Sequence, residues 1–166
     1  MCWKSTVLGA TYALAFSTAA ALADSDGTVV AVSLWDKGEA SLDNAGMVPG
    51  LMMSEHGDMS LATTGVTLSV TTVAAGEVTF NVTNDSDSII HELLVIPVAS
   101  TDTPMPYDEV SMRIDEDAAG ALGEVPELEP GQTGSASFRL EPGQYLLVCN
   151  VAGHYPMGMW AILTVE

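Results

Sequence analysis

One short segment near the C-terminus constrains the fold of this chain more than any other. Cys149, His154 and Met159 follow one another with four residues between successive members, in the sequence CNVAGHYPMGM. The segment lies between two strand-like runs, 144–149 and 159–165, so we expect a loop that joins two strands. A loop that carries a thiol, an imidazole and a thioether can wrap a metal ion, but it is too short to surround the ion alone.

A fourth donor must therefore come from another part of the chain. His91 is the candidate, because His91 and Glu92 are the only breaks in the apolar run 89–95, which predicts a strand buried on both faces. Thiolate, imidazole and thioether donors favour copper over magnesium or calcium, and two imidazoles with one thiolate and a weak axial Met form blue-copper electron-transfer sites. Alone, His91 would be interpreted as a core histidine bonded to the backbone. Beside the Cys-His-Met segment it is better explained as a ligand.

The pattern Cys-x4-His-x4-Met, with an upstream His on an apolar strand, resembles the copper site of the cupredoxins, which include plastocyanin, azurin and pseudoazurin. The spacing and the words CNVAGH and GMW resemble the rusticyanin branch most, over roughly residues 66–166. The resemblance implies an all-β Greek-key sandwich and one type 1 copper ion. It also implies three in-plane ligands and one axial ligand, namely His91, Cys149, His154 and, as the axial one, Met159.

The resemblance further suggests roles for the residues around these ligands. Met157 is an alternative axial donor, but it breaks the spacing and is better explained as an apolar contact on the rim. The outer edge of His154 is expected to reach the surface and to be the route of the electron. Many cupredoxins have Asn after the first His, with a backbone that helps to hold the Cys sulfur. Glu92 stands at that position here, so the resemblance does not predict which groups surround the ligands.

The N-terminus has the features of a secretory signal. A short positive start with Lys4, an apolar run and the motif Ala21-Leu-Ala23 predict a signal peptide over residues 1–23 and a mature chain from Asp24 in a periplasm. A membrane anchor is the alternative, but the run is short for one. Removal of the signal leaves Cys149 as the only cysteine, so no internal disulfide can form. A role as a metal ligand explains this unpaired cysteine better than an inert buried thiol or the nucleophile of a thiol protease.

About 143 residues remain after the signal, which suits a single domain. We divide the chain into residues 1–23 (signal), 24–65 (N-terminal strand and Met/His-containing loop) and 66–166 (copper-binding core), the last two forming one domain. After loss of Lys4, three basic residues face 22 acidic ones, a net charge of about −19. Such a chain cannot neutralise phosphates, which excludes nucleic acid as a partner. A redox partner with a basic face, such as a cytochrome, is favoured, and the protein is expected to be a monomer.

Strand patterns fill most of the remaining sequence. Residues 28–34, 66–73, 77–83 and 134–140 are β-branched or alternate in polarity, and we expect 66–73 and 77–83 to form a hairpin. A helix is predicted to begin at Pro106 and to end at Gly120, with an acidic cluster at 115–117 near its end. About seven strands with one helical insertion predict a two-sheet Greek-key sandwich.

Counts of residues separate the candidate functions. The chain has three His and no His-x-His pair, so a multicopper oxidase or a nitrite reductase is not expected, and a binuclear copper centre would need a second Cys in the loop. We therefore expect no enzymatic activity. A periplasmic electron carrier that alternates between Cu(II) and Cu(I) is the leading interpretation. The alternative is a copper-tolerance protein that binds or oxidises periplasmic Cu(I), and a metal-free cupredoxin-like domain is disfavoured because all four ligand types are present.

One further segment, residues 47–59, contains four Met and one His. Its glycines and proline predict a loop, and Met often fills gaps, so a loop folded over the sandwich is one explanation. Thioethers and imidazole also suit Cu(I). The placement resembles the N-terminal segments of periplasmic copper-tolerance cupredoxins of the CopI type. The resemblance predicts a second, weaker Cu(I) site, formed by Met52 or Met53, His56 and Met59.

Overall fold

The structure, a computed structural model, describes Met1, residues 27–38 and residues 50–166. Most of the predicted signal peptide and Met47 therefore lie outside the described residues. Within the described ranges strands dominate and the longest α-helix has four residues, so the predicted all-β fold is confirmed. No helix in this part of the chain has the length and apolar character needed to cross a membrane.

Two sheets pack face to face. The first sheet contains β1 (Thr28–Asp36), β2 (Thr64–Leu68), β4 (Gly76–Asn84) and β9 (Thr133–Leu140), in the order β2-β1-β4-β9. The second contains β3 (Thr72–Val73), β5 (His91–Val98), β8 (Gly123–Leu128), β10 (Gly143–Val148) and β11 (Trp160–Val165), in the order β3-β11-β10-β5-β8. A separate two-stranded ribbon consists of β6 (Tyr107–Asp108) and β7 (Arg113–Ile114), and α1 (Glu116–Ala119) follows it.

Strand β5 is buried on both faces, as its continuous apolar sequence predicts. Since successive side chains of a strand point to opposite faces, Leu93 and Val95 enter the core between the two sheets. Leu94 and Ile96 enter a second apolar cluster on the outer face, which also holds Tyr155. The strand that begins with His91 is therefore held between two packed layers, and this makes it a rigid support for a site.

The predicted hairpin of residues 66–73 and 77–83 is wrong. β1 lies between β2 and β4, antiparallel to the first and parallel to the second. The short β3 leaves this sheet and pairs with β11 in the other one. The alternation of polarity reports which face of a strand is buried, but it does not report which strand lies beside it.

The predicted helix from Pro106 to Gly120 is also largely wrong, because the ribbon β6-β7 occupies most of that range. Only α1 is helical. Asp115 caps its beginning by accepting a hydrogen bond from the Ala118 N–H at 3.0 Å, and Gly120 ends it in a left-handed conformation. The acidic cluster thus lies at the start of the helix, where the dipole favours it, rather than at the end.

Candidate metal centre

Hydrogen bonds close the loop of residues 149–159, here called the Cys-His-Met loop, between the ends of β10 and β11. The Cys149 N–H donates to the Met159 carbonyl at 3.1 Å, and the Met159 N–H donates to the His154 carbonyl at 3.1 Å. The backbones of the three residues that the spacing singled out are therefore tied to one another. A loop closed in this way holds its side chains in fixed relative positions.

Local sequence explains this loop geometry. A single 3-10 turn, Tyr155–Met157, follows His154, and Pro156 occupies a position in that first turn where no backbone N–H is needed. Gly153 and Gly158 adopt φ angles of 82° and 89°, a left-handed region that favours glycine. The glycines and the proline thus place His154 where the chain reverses direction.

His91 reaches the loop from β5, and an acid on another strand orients it. Its Nε2 lies 3.0 Å from Asp36 Oδ2, and both side chains are at most 1% exposed. Asp36 is the last residue of β1. Since Nε2 is engaged by the carboxylate, Nδ1 is the nitrogen left for a metal, and Nδ1 is the atom that faces Cys149.

Three donor atoms converge on one point. Cys149 Sγ lies 3.8 Å from His91 Nδ1 and 3.4 Å from His154 Nδ1, and the ligand atoms of all three residues lie within 4.8 Å of one another. Donors at about 2.0 to 2.3 Å from a shared transition-metal ion, arranged as a triangle, are separated by about 3.5 to 4 Å. The chemistry and spacing of these side chains therefore fit copper, and they form the only such group of His, Cys and carboxylate donors among the described residues.

The two methionines of the loop lie in different surroundings. Met159 is fully buried and packs in the same apolar cluster as Cys149, between the two sheets. Met157 is partly exposed at the end of the 3-10 turn. Met159 as the axial donor, and Met157 as a contact on the rim, stay predictions that agree with these positions.

Burial controls the charge of the sulfur. It raises the pKa of the Cys149 thiol to about 12, while backbone N–H groups of Glu92 and Val151 hydrogen-bond to the sulfur and lower the pKa. Without a metal the thiol therefore keeps its proton at neutral pH. Binding of copper by the thiolate must displace that proton, so the two events are coupled.

Glu92 combines a backbone role with an unusual side chain. Its N–H reaches the Cys149 sulfur, the contact that the resemblance assigns to the backbone at this position. Its carboxyl group is buried, and burial together with nearby Glu124 raises its pKa to about 7, whereas Arg113 lowers it. Arg113 Nη1 lies 3.5 Å from Glu92 Oε1, an oxygen that has no hydrogen-bond partner among the described residues.

His154 is the least buried of the three converging residues, with 6% of its surface exposed. Burial and the neighbouring His91 lower the pKa of His154 to about 4, so its imidazole is neutral at physiological pH. The centroids of the two imidazole rings are 5.1 Å apart. Neutral imidazole is the form that binds metals, so His154 is already in the required state.

Sequence reasoning missed two residues that shape the site. Asp36 fixes His91, and the buried Asn150, directly after Cys149, accepts a hydrogen bond from the Ile114 N–H at 2.7 Å and donates to the Ile114 carbonyl at 3.1 Å. A single sequence gives no signal that pairs Asp36 with His91, since 55 positions separate them. The asparagine stands beside the ligand and was a detectable candidate.

The residues of the predicted second site lie in different surroundings. Met53 is fully buried, and its N–H donates to the Tyr155 hydroxyl at 3.2 Å. Met52 is partly exposed. His56 is exposed, and its Nε2 contacts Asp102 at 2.8 Å. Met59 is 38% exposed.

Comparisons with known proteins place these features in a family. The model of the Sulfocyanin (SoxE) domain matches residues 51–166. No curated protein matches the chain. The structure is similar to rusticyanin from Thiobacillus ferrooxidans, with a TM-score of 0.54 and 14% identity over 83% of this chain and 76% of that one.

Auracyanins are further neighbours. Reduced auracyanin from Roseiflexus castenholzii gives a TM-score of 0.47 and 17% identity over 84% of this chain and 96% of that one. Auracyanin A from Chloroflexus aurantiacus gives 0.47 and 20% over 83% and 99%. The likeness to rusticyanin shows the fold, and the matched domain covers more than half of the sequence. The chain therefore belongs to the sulfocyanin (SoxE) domain family and has the cupredoxin fold.

Proposed function

We propose that this protein is a type 1 mononuclear copper protein that carries single electrons between other proteins. The convergence of His91, Cys149 and His154 within 4.8 Å is the observation that carries the proposal. Met159 would be the axial ligand. Two imidazoles, one thiolate and a weak thioether are the donors of blue-copper electron-transfer sites. Membership of the sulfocyanin family supports the same function.

Copper, when bound, would supply the one-electron couple between Cu(II) and Cu(I). The part of the chain is to hold the donors in place before and after the transfer. Cys149 and His91 are completely buried, and the loop is closed by its own backbone hydrogen bonds. A rigid site buried from water changes little in structure when its charge changes, which suits an electron carrier.

His154 is the proposed route of the electron to the surface. It is the only one of the four proposed ligands with measurable exposure, since Met159 is also fully buried. The partner that receives the electron would be a redox protein with a basic face, such as a cytochrome, because the chain carries 22 acidic residues against four basic ones. We place the protein in a periplasm on the basis of the N-terminal signal pattern, and we expect it to be a monomer.

A redox titration tests this function. The mature protein, loaded with one equivalent of Cu(II), should take up one electron per chain from ascorbate and release it to hexacyanoferrate(III) over repeated cycles without loss of copper. His91→Ala should bind copper more weakly and lose the reversible couple. Copper that cannot be reduced reversibly in the wild-type protein would contradict an electron carrier.

Copper tolerance is the alternative function, and one observation favours it. The segment 51–62 packs against the Cys-His-Met loop and the first residue of β11. The Trp160 Nε1–H donates to the Leu51 carbonyl at 2.7 Å, and a Cβ at Gly158 would lie 3.1 Å from the Met59 methyl group. The accessible donors Met52, His56 and Met59 would then form the second, weaker Cu(I) site beside the first.

Cu(I) stoichiometry distinguishes the two functions. A variant with Met52, His56 and Met59 changed to Ala keeps Met53, whose burial makes its removal a threat to folding. Two equivalents of Cu(I) in the wild type and one in the variant would support tolerance. One equivalent in both proteins would remove the second site and leave the electron carrier.

A further inference from the structure

A hairpin is fastened to the Cys-His-Met loop from outside. It comprises β6, β7 and the turn between them, residues 107–114, and is called here the 107–114 hairpin. The Gly153 N–H donates to the Met112 carbonyl at 2.8 Å, and Asn150 exchanges two hydrogen bonds with the Ile114 backbone. The rings of Tyr107 and Tyr155 are 6.0 Å apart. Three attachments to residues around His154 make the hairpin a rigid extension of the site.

The tip of the hairpin is held in a demanding conformation. Met112 has a φ of 54°, a left-handed conformation that costs a non-glycine residue free energy. Asp108 closes the turn by accepting hydrogen bonds from the Val110 N–H at 2.8 Å and the Ser111 hydroxyl at 2.9 Å. Strained backbone of this kind is common at functional surfaces.

That conformation presents apolar side chains to solvent. Val110 is 93% exposed and Met112 is 46% exposed. Next to them lies a groove of about 340 Å³ lined by Met52, Tyr107, Glu109 and Pro156. Pro156 belongs to the turn that follows His154, so the groove and the tip adjoin the proposed exit of the electron.

The charge around this apolar area is mostly negative, and the one cation of the hairpin, Arg113, is 39% exposed. Asp108 and Glu109 are on the hairpin, and the exposed acidic cluster 115–117 follows it directly. Arg113, the only basic residue of the hairpin, faces the buried Glu92. An apolar centre with an acidic rim fits a partner that has an apolar contact area framed by Lys and Arg.

We propose that the 107–114 hairpin is the docking surface for the redox partner, a protein with an apolar patch framed by basic side chains. This inference rests on the proposed electron-carrier function. Val110 would enter the partner's apolar patch, Glu109 would face its cations, and the attachments to Gly153 and Asn150 would hold His154 at a fixed place beside the contact.

Binding and electron exchange with a small basic cytochrome c, used as the probe, test the inference. Val110→Ser should weaken binding about tenfold, because an apolar side chain no longer leaves water on association. The matched control is Val29→Ser, at 56% exposure on the far end of β1, which should bind like the wild type. Glu109→Gln should make the association rate less sensitive to salt, whereas Glu77→Gln, at the far end of β4, should not.

The possible results test the docking surface and the electron-carrier function separately. Equal binding by Val110→Ser and Val29→Ser would overturn the docking surface, while reversible exchange with hexacyanoferrate(III) would leave the function standing. Hairpin-dependent binding of the cytochrome by a protein that exchanges no electrons would overturn the function and keep the surface. Val29→Ser should exchange electrons with hexacyanoferrate(III) at the wild-type rate, because Val29 lies outside both the ligand set and the hairpin.

Discussion

Asp36 holds one of the proposed ligands without being a ligand itself. Burial acts to raise the pKa of its carboxyl group, but hydrogen bonds with Ser86 and His91 outweigh this effect and the pKa is lowered. The carboxylate is therefore available to accept the Nε2–H of His91 and to fix the tautomer that leaves Nδ1 free. β1, which carries Asp36, precedes the residues that match the family domain.

Removal of this support should weaken copper binding. Asp36→Ala is expected to lower the affinity for Cu(II) by about 10- to 100-fold, because an unsupported imidazole loses its orientation. Asp36→Asn keeps an acceptor oxygen and should recover most of the loss. Competition with a chromophoric chelator measures the affinity, with the exposed Asp87→Ala as a control. Wild-type affinity in Asp36→Ala would refute the positioning role.

At this scale the sequence predicts the residues that combine a rare chemistry with a fixed spacing. Cys149, His154 and Met159 are recognisable because few other functions need these types on one loop. His91 is recognisable because a polar residue interrupts an apolar strand. Asp36 is an ordinary acid at the end of a strand, and its importance arises only when the fold brings it 3.0 Å from His91.

Among the elements, the 107–114 hairpin is attached to the Cys-His-Met loop in part through Asn150. Asn150 satisfies both backbone groups of Ile114 and donates to Glu116 at 3.0 Å. Asn150→Ala should lower the free energy of unfolding by about 2 to 4 kcal/mol, because two buried backbone groups lose their partners.

Urea unfolding of the apo protein measures this loss, and the exposed Asn81→Ala, on β4, serves as the control. The copper-loaded variant should keep the visible absorption band that a Cu(II)–thiolate bond produces, because the donor atoms of Cys149 and His91 are unchanged. A loss below about 0.5 kcal/mol would show that the hairpin is held by other contacts.

A second prediction concerns Gly65 on β2, which lies close to the ring of Trp35 on β1. Gly65 pairs with Trp35, and a Cβ at Gly65 would lie 2.4 Å from Cζ2 of the indole ring. Gly65→Ala should therefore cost about 1 to 3 kcal/mol through overpacking. The same change should cost much less in a Trp35→Leu background, where the ring is absent. Equal costs in the two backgrounds, measured by urea unfolding, would contradict this explanation.

The sequence predicts which residues form strands better than it predicts which strands lie side by side. The runs 28–34 and 134–140 are strands as expected, and the apolar run 89–95 is a strand from His91 onward. Pro126 within β8 argues against a strand in the sequence, but β8 lies at the edge of its sheet, where proline is tolerated. Val110 and Ile114 are four residues apart, a spacing that predicts a helix where the ribbon β6-β7 lies, but Val110 faces solvent and Ile114 is buried.

The charge of the whole molecule limits its stability. The chain has a formal net charge of −18, and the acidic side chains repel one another across the folded surface. Screening shortens the range of this repulsion from about 10 Å at 0.1 M salt to about 3 Å at 1 M. We therefore expect the urea midpoint of the apo protein to rise between about 0.1 and 1 M sodium chloride. A midpoint that falls over this range would show that attractive ion pairs dominate instead.

The chain as a whole is a sandwich with its site at one end, formed by the start of β5 and the Cys-His-Met loop. The two-sheet architecture follows from many short alternating strands. The position of β1 between β2 and β4 does not follow from local patterns, because it is set by packing across the whole core.

The absorption spectrum of the Cu(II)-loaded mature protein tests the central claim most directly. A thiolate bound to Cu(II) beside two imidazoles should give an intense visible band. Cys149→Ser should lose this band even where copper still binds, and His56→Ala, outside the proposed type 1 site, should keep it. A wild-type protein that binds one Cu(II) without any such band, or a Cys149→Ser variant that retains it, would contradict the account.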